Sequence, residues 1–118
     1  MKITSEWVGK LKERRVFTLT LIRKPQIIDG EWGISYLHKF EDEDGNYFAA
    51  FAKEPLSFND KLISLGEKVL VKGTITKHNL FYKTKETVLS RIQCVGLWKD
   101  VYENTAFDEF LRDQGYDV

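Results

Sequence analysis

Apolar residues in the first hundred positions recur mostly at period two, in runs short enough for strands. Between Arg15 and Lys24, the run Val16, Phe17, Thr18, Leu19, Thr20, Leu21, Ile22 is β-branched, aromatic and apolar, which suits a pleated surface, and Pro25 ends it. Residues 26–31, with Asp29-Gly30, read as a connecting loop. A second strand is predicted from Trp32 to Asp42, where Ile34, Tyr36, His38 and Phe40 alternate. The polar run Glu41 to Asn46 reads as a solvated turn in which Gly45 supplies a positive φ, and Tyr47 to Ala52 returns as the hairpin partner. Both faces of that third strand are apolar or small, so its phase stays open. Residues 55–65 do not alternate; their spacing allows a short helix or an irregular plug, closed by Gly66. Glu67 to His78 alternates most strongly, with Val69, Val71, Gly73 and Ile75 on one face. A loop from Asn79 to Thr84 then leads to a fifth strand, Lys85 to Val95, with Val88, Ile92 and Cys94 on one parity.

Three strands, a connector of about a dozen residues and a closing hairpin follow the order of the all-β, five-stranded OB-fold barrel. Gly73, inside an otherwise good strand, marks the sharp bend that closing a small barrel needs. A five-stranded sheet that never closes is the competing architecture. Residues 1–99 form this expected domain, and residues 100–118 an acidic tail. In the tail Phe107, Phe110 and Leu111 lie at helical spacing. Three roles stay open for it: a terminal helix packed on the barrel, a competitor for the basic groove, or a partner-binding segment.

Length and composition bound the function. The 118 residues, 42% of them hydrophobic, suffice for one core without metal or disulfide staples. Cys94 is the single cysteine, which excludes an internal disulfide and any multi-cysteine zinc site and fits a reducing, cytoplasmic setting. No apolar run approaches the roughly 18 residues of a membrane span, and Met1 to Glu6 lacks a signal-peptide core. The formal net charge of zero hides a segmented layout. Residues 1–24 carry seven Lys/Arg against two acids, and residues 68–99 carry seven against Glu86 alone, whereas residues 25–67 and 100–118 are acidic. Pairing the two basic, strand-like blocks would make one positive surface, the electrostatic footprint of phosphate binding.

Candidate chemistry concentrates around the last hairpin. Phe81 and Tyr82 stand among Lys77, His78, Lys83 and Lys85, which joins stacking platforms to cations as single-strand binding requires. Leu80 and Phe81 folding back as a barrel plug is the competing reading. Trp32, Tyr36 and Lys39, with Arg23 and Lys24, form a second cluster on the other side of the expected groove, and Lys72 and Arg91 add phosphate contacts. Trp32 as a barrel-end cap and Tyr36 as core are the alternatives. His38 and His78 lack metal-ligand spacing, and the run from Glu41 to Asp44 lacks the EF-hand pattern, so no metal or cofactor is expected. No nucleophile motif or Gly-rich phosphate loop occurs, so a non-enzymatic role is expected. Cys94 shares its parity with core positions, which favours burial over reactivity.

The stretch Gly73-Thr74-Ile75-Thr76-Lys77-His78, followed by Tyr82, Lys83, Lys85, Thr87, Leu89, Ser90 and Arg91, resembles a signature of OB-fold single-stranded DNA-binding and replication accessory proteins of phages and mobile genetic elements. Glu6-Trp7-Val8-Gly9, Tyr36-Leu37-His38 and Asp42-Glu43-Asp44-Gly45-Asn46 extend the similarity over roughly residues 6–95. Thr84 stands where that signature usually has a glycine, and Ser90 replaces its usual threonine. The resemblance implies binding of single-stranded DNA in replication, while the stacking and phosphate contacts expected in the groove predict little sequence preference and leave DNA against RNA open. The alternative it implies is an accessory subunit that docks a primase, polymerase or helicase and binds DNA weakly or not at all.

Overall fold

The computed structural model describes residues 5–31 and 33–102. They form β1 (Arg14–Leu21), β2 (Gln26–Gly30), β3 (Gly33–Asp42), β4 (Tyr47–Ala52), the two-residue strands β5 (Ser57–Phe58) and β6 (Lys61–Leu62), β7 (Lys68–Phe81), β8 (Thr84–Leu97) and the short helix α1 (Trp98–Tyr102). The fold is therefore mostly β. Six strands join in one sheet of order β1-β7-β8-β4-β3-β2. An additional antiparallel pairing of Leu19–Leu21 with Phe40–Asp42 joins β1 to β3, so the hydrogen-bonded neighbours lead from β1 through β7, β8, β4 and β3 back to β1. All pairings are antiparallel except β4 with β8. The two basic sequence blocks do lie side by side, because Arg14–Thr20 pairs with Lys68–Thr74.

The alternation of β7 is realised as expected, with Val69, Val71, Gly73 and Ile75 all buried. They meet Phe17, Leu19, Leu21, Phe40, Phe48 and Leu89 in one core. The open phase of β4 resolves with Phe48 and Ala50 in this core and with Tyr47 and Phe51 outward. Gly45, at φ 83°, takes the positive-φ place in the β3–β4 turn, where the Asp42 carboxylate accepts the amides of Asp44 and Asn46.

Four expectations need correction. The presumed loop at residues 26–31 contains β2, which pairs with β3 from Gln26↔Leu37 to Gly30↔Gly33; isoleucines at 27 and 28 favour extended backbone once a partner strand is present. β1 stops at Leu21, short of Lys24. The connector holds no helix. Its β5–β6 hairpin turns at Asn59 and Asp60, both at positive φ, and buries Leu56 and Ile63 in the core. In β8 it is Leu89, not Val88, that enters the core beside Cys94, because the ladder slips: Lys72 faces Gln93 and Thr74 faces Ser90, leaving one β7 residue opposite two in β8. Such a bulge inverts the side-chain parity beyond it.

Gly73 is the β7 residue at that slip, and a Cβ there would lie 3.2 Å from Ile92 Cγ2 and 3.4 Å from Leu89 Cβ. Gly73→Val should cost roughly 1–3 kcal/mol by overpacking, read as a lower urea midpoint with unchanged slope.

His38, fully buried on β3, ties the connector to the sheet. Its Nε2 accepts the Leu56 amide at 3.0 Å while its Nδ1 lies 3.2 Å from the Tyr36 carbonyl, an arrangement that requires the neutral ring with its proton on Nδ1. Burial pushes its pKa below the ordinary 6.5, against a smaller upward pull from the backbone groups of Ala50 and Tyr36. The unfolded chain takes up a proton below 6.5 that the folded chain refuses, so this part of the stability is whole above 6.5 and declines as pH falls. Urea unfolding at about pH 7.5 and about pH 5.5 should show that loss, and a His38→Gln variant should lack it while being less stable at the higher pH.

Candidate functional site

The candidate site begins at the far end of the β7–β8 ladder. The aromatic loop expected from Asn79 to Thr84 is instead strand almost throughout: Phe81 faces Thr84, leaving Tyr82 and Lys83 as a two-residue turn. Their φ values of 48° and 66° are those of a primed turn, whose twist matches that of the strands it joins. A tip this tight cannot tuck its side chains inward. Tyr82 is 88% exposed, Leu80 60% and Phe81 49%, so the plug reading of Leu80 and Phe81 does not hold. The Phe81 and Tyr82 rings meet edge to face, with centroids 4.6 Å apart.

Behind the tip, one contact sets the position of Phe81. Lys39 Nζ lies 4.3 Å from the Phe81 ring centroid and 2.6 Å from Glu86 Oε2. Both partners of this ion pair are largely buried, so Lys39 supports the ring from below while Glu86 neutralises its charge. Lys39 faces Ala49 on β4, and the next outward pair on that surface is Leu37 with Phe51. Phe51, half exposed, thus adds a second ring to the outer β3–β4 surface. Lys77 and Lys83 are exposed and make no ion pair among the described residues.

His78 and Lys85 belong to the opposite face of the hairpin. Trp7 stacks on the His78 ring at 5.3 Å, donates from Nε1 to the Asn79 carbonyl and lies under Lys85 Nζ, which also pairs with Glu6 at 2.9 Å. Ser5 continues the lacing: its Oγ donates to the Lys85 carbonyl at 2.7 Å and accepts the Tyr47 amide at 2.8 Å. His78 Nε2 is buried without a partner among the described residues. Sequence reasoning gave Trp7 no role at the site beyond its part in the resemblance and missed Ser5, since nothing local marks a segment whose hydrogen bonds lie about 40 to 80 positions away.

The remaining candidates separate. Tyr36 is half buried on the His38 and Phe40 side of β3, opposite to Lys39. Lys72 and Arg91 sit on the half of the β7–β8 ladder that neighbours β1, not β4. Trp32 and the tail residues Phe107, Phe110 and Leu111 lie outside the described residues. Cys94 is buried, donates to the Gly96 carbonyl at 3.4 Å, and has its thiol pKa pushed up mainly by burial. Two surface depressions, one around Glu41 to Gly45 and one between residues 6–9 and β1, carry acidic rims, and neither includes the hairpin tip. No helix among the described residues is long and apolar enough to cross a membrane.

No protein-family model, curated protein or solved structure matches the chain. The site rests on its own geometry. Lys39→Ala should cost about 3 kcal/mol by leaving Glu86 buried and unpaired, and Lys39→Met with Glu86→Gln should recover most of that loss; equal urea midpoints for the single and double variants would contradict the pairing.

Proposed function

We propose that the chain is a five-stranded barrel of the OB type that binds single-stranded nucleic acid, chiefly DNA, with little sequence preference. The architectural part draws on the order of pairings, β1-β7-β8-β4-β3-β1, with a parallel β4–β8 contact and a connector between β4 and β7 that covers one end of the core. The functional part rests on one observation above all: two adjacent aromatic rings stand exposed at a tight hairpin tip, with Lys83 in the turn and Lys77 further back on β7, neither of which has a carboxylate partner among the described residues. Bases stack on Phe81, Tyr82 and Phe51, while Lys77 and Lys83 follow the phosphates. Stacking accepts any base, because each offers a π-face, and so yields affinity without sequence readout. Exposed apolar rings otherwise lose free energy to water, and a ligand that covers them recovers it.

The similarity of Gly73 to Arg91 to replication proteins of phages and mobile elements supports a place in DNA replication. A second reading, a docking module for a primase, polymerase or helicase, draws on the neutralised pairs Lys39–Glu86 and Lys85–Glu6. Salt separates the two, since displacing counterions from phosphates makes affinity fall steeply with ionic strength, whereas an apolar protein contact responds weakly.

Fluorescence anisotropy with labelled oligo-dT at two ionic strengths tests the proposal. Phe81→Ala with Tyr82→Ala should weaken binding at least tenfold, given about 1–3 kcal/mol per stacked base, with the unfolding midpoint little changed because both rings are exposed. Unaltered affinity in that variant, or binding indifferent to salt, would refute it.

A further inference from the structure

Away from the hairpin tip, two arginines converge on one hydroxyl. Arg14 Nη1 donates to Thr74 Oγ1 at 2.9 Å and Arg91 Nη2 donates to the same oxygen at 3.1 Å, while Arg14 Nη1 also reaches the Arg91 carbonyl at 3.1 Å. Both arginines are exposed, and neither pairs with a carboxylate among the described residues. Two cations drawn to a single neutral acceptor repel each other, and that arrangement is best relieved by an anion between them. The backbone contributes as well. Arg91 holds φ 50° at the bulge opposite Gly73, a left-handed conformation that costs a non-glycine residue about 1 kcal/mol. That bend points its guanidinium back toward Thr74 and Arg14.

Lys72 occupies the next outward position on β7, about 6.6 Å along the strand from Thr74, beside Val16 of β1 and Gln93 of β8. The three cations make an open row along the β1–β7–β8 surface, not an enclosed cradle. A row suits successive phosphates of a chain better than one free anion.

We infer that Arg14, Arg91 and Lys72 form a second phosphate-binding track, which engages the backbone of a nucleic-acid strand long enough to pass from the aromatic tip onto the β1–β7–β8 face. The inference rests on the single-strand reading above and adds to it a length dependence. A short strand occupies the tip alone, and a long one occupies both surfaces.

Oligo-dT of about 10 and about 40 nucleotides separates the two, since one domain of this kind covers roughly 4–16 nucleotides. Arg14→Ala with Arg91→Ala should weaken binding of the long strand about tenfold and reduce its log–log salt slope by about 1.4, two phosphates at roughly 0.7 each, while leaving the short strand unaffected. Arg14→Lys with Arg91→Lys should keep the slope and lose part of the affinity, because the charge remains and the fork is gone. Matching thermal unfolding of the variants and the parent shows that the fold is intact. Long-strand affinity and slope unchanged by the double alanine variant would overturn the second track, as would an equal loss for both lengths. If Phe81→Ala with Tyr82→Ala then still weakens both strands, the primary reading stands alone. Failure of the parent protein to bind either strand overturns both.

Discussion

The ladder between β7 and β8 has to serve two neighbours at once. Each strand is 14 residues long, yet β7 pairs with β1 only over Lys68–Thr74 and β8 pairs with β4 only over Glu86–Leu89. A straight ribbon cannot lie against both. Three register shifts, between Leu70 and Val71, Lys72 and Thr74, and Ile75 and Lys77, bend it from one neighbour to the other. Gly73 leaves room at the middle shift for Leu89 and Ile92, and Arg91 takes the positive φ that the shift requires. The bent ladder lets β1 and β4 share the core, and what remains of it extends past both as the hairpin that carries Phe81 and Tyr82.

The same bend divides the surface charge. Lys39 and Lys85 are drawn into ion pairs with Glu86 and Glu6, so the charge of these two cations is neutralised locally. Lys83 in the turn and Lys77 further back on β7 have no carboxylate partner among the described residues, and neither do Arg14, Lys72 and Arg91 on the β1–β7–β8 face. A net charge of zero is therefore compatible with two cationic surfaces, because the acids gather in the β3–β4 turn and in residues 100–118.

Much of this was legible in the chain. Strict alternation from Val69 to Ile75 disclosed the face of β7, and Gly73 disclosed the bend, because both signals are local and follow from the pleat. The aromatic and cationic character of Phe81, Tyr82 and Lys83 was equally plain. What was not legible depended on partners distant in sequence. Val88 and Leu89 exchange roles because of a bulge whose cause lies across the ladder. β2 looked like a loop because its strand character comes from pairing with β3. The grouping of Tyr36 with Lys39, and of Arg91 with Phe81, joined residues that side-chain parity and distance along the ladder separate. Arg14 gave no signal at all until its hydroxyl partner, 60 positions away, was placed beside it.

Whether the hairpin tip is where a single strand lands can be observed residue by residue. In an amide-resolved NMR titration with oligo-dT, the signals of Phe81, Tyr82 and Lys83 should move first and furthest, followed by those of Lys77 and Phe51. Signals at the tip that stay fixed while others shift, or a spectrum that saturating oligonucleotide does not change, would contradict the assignment.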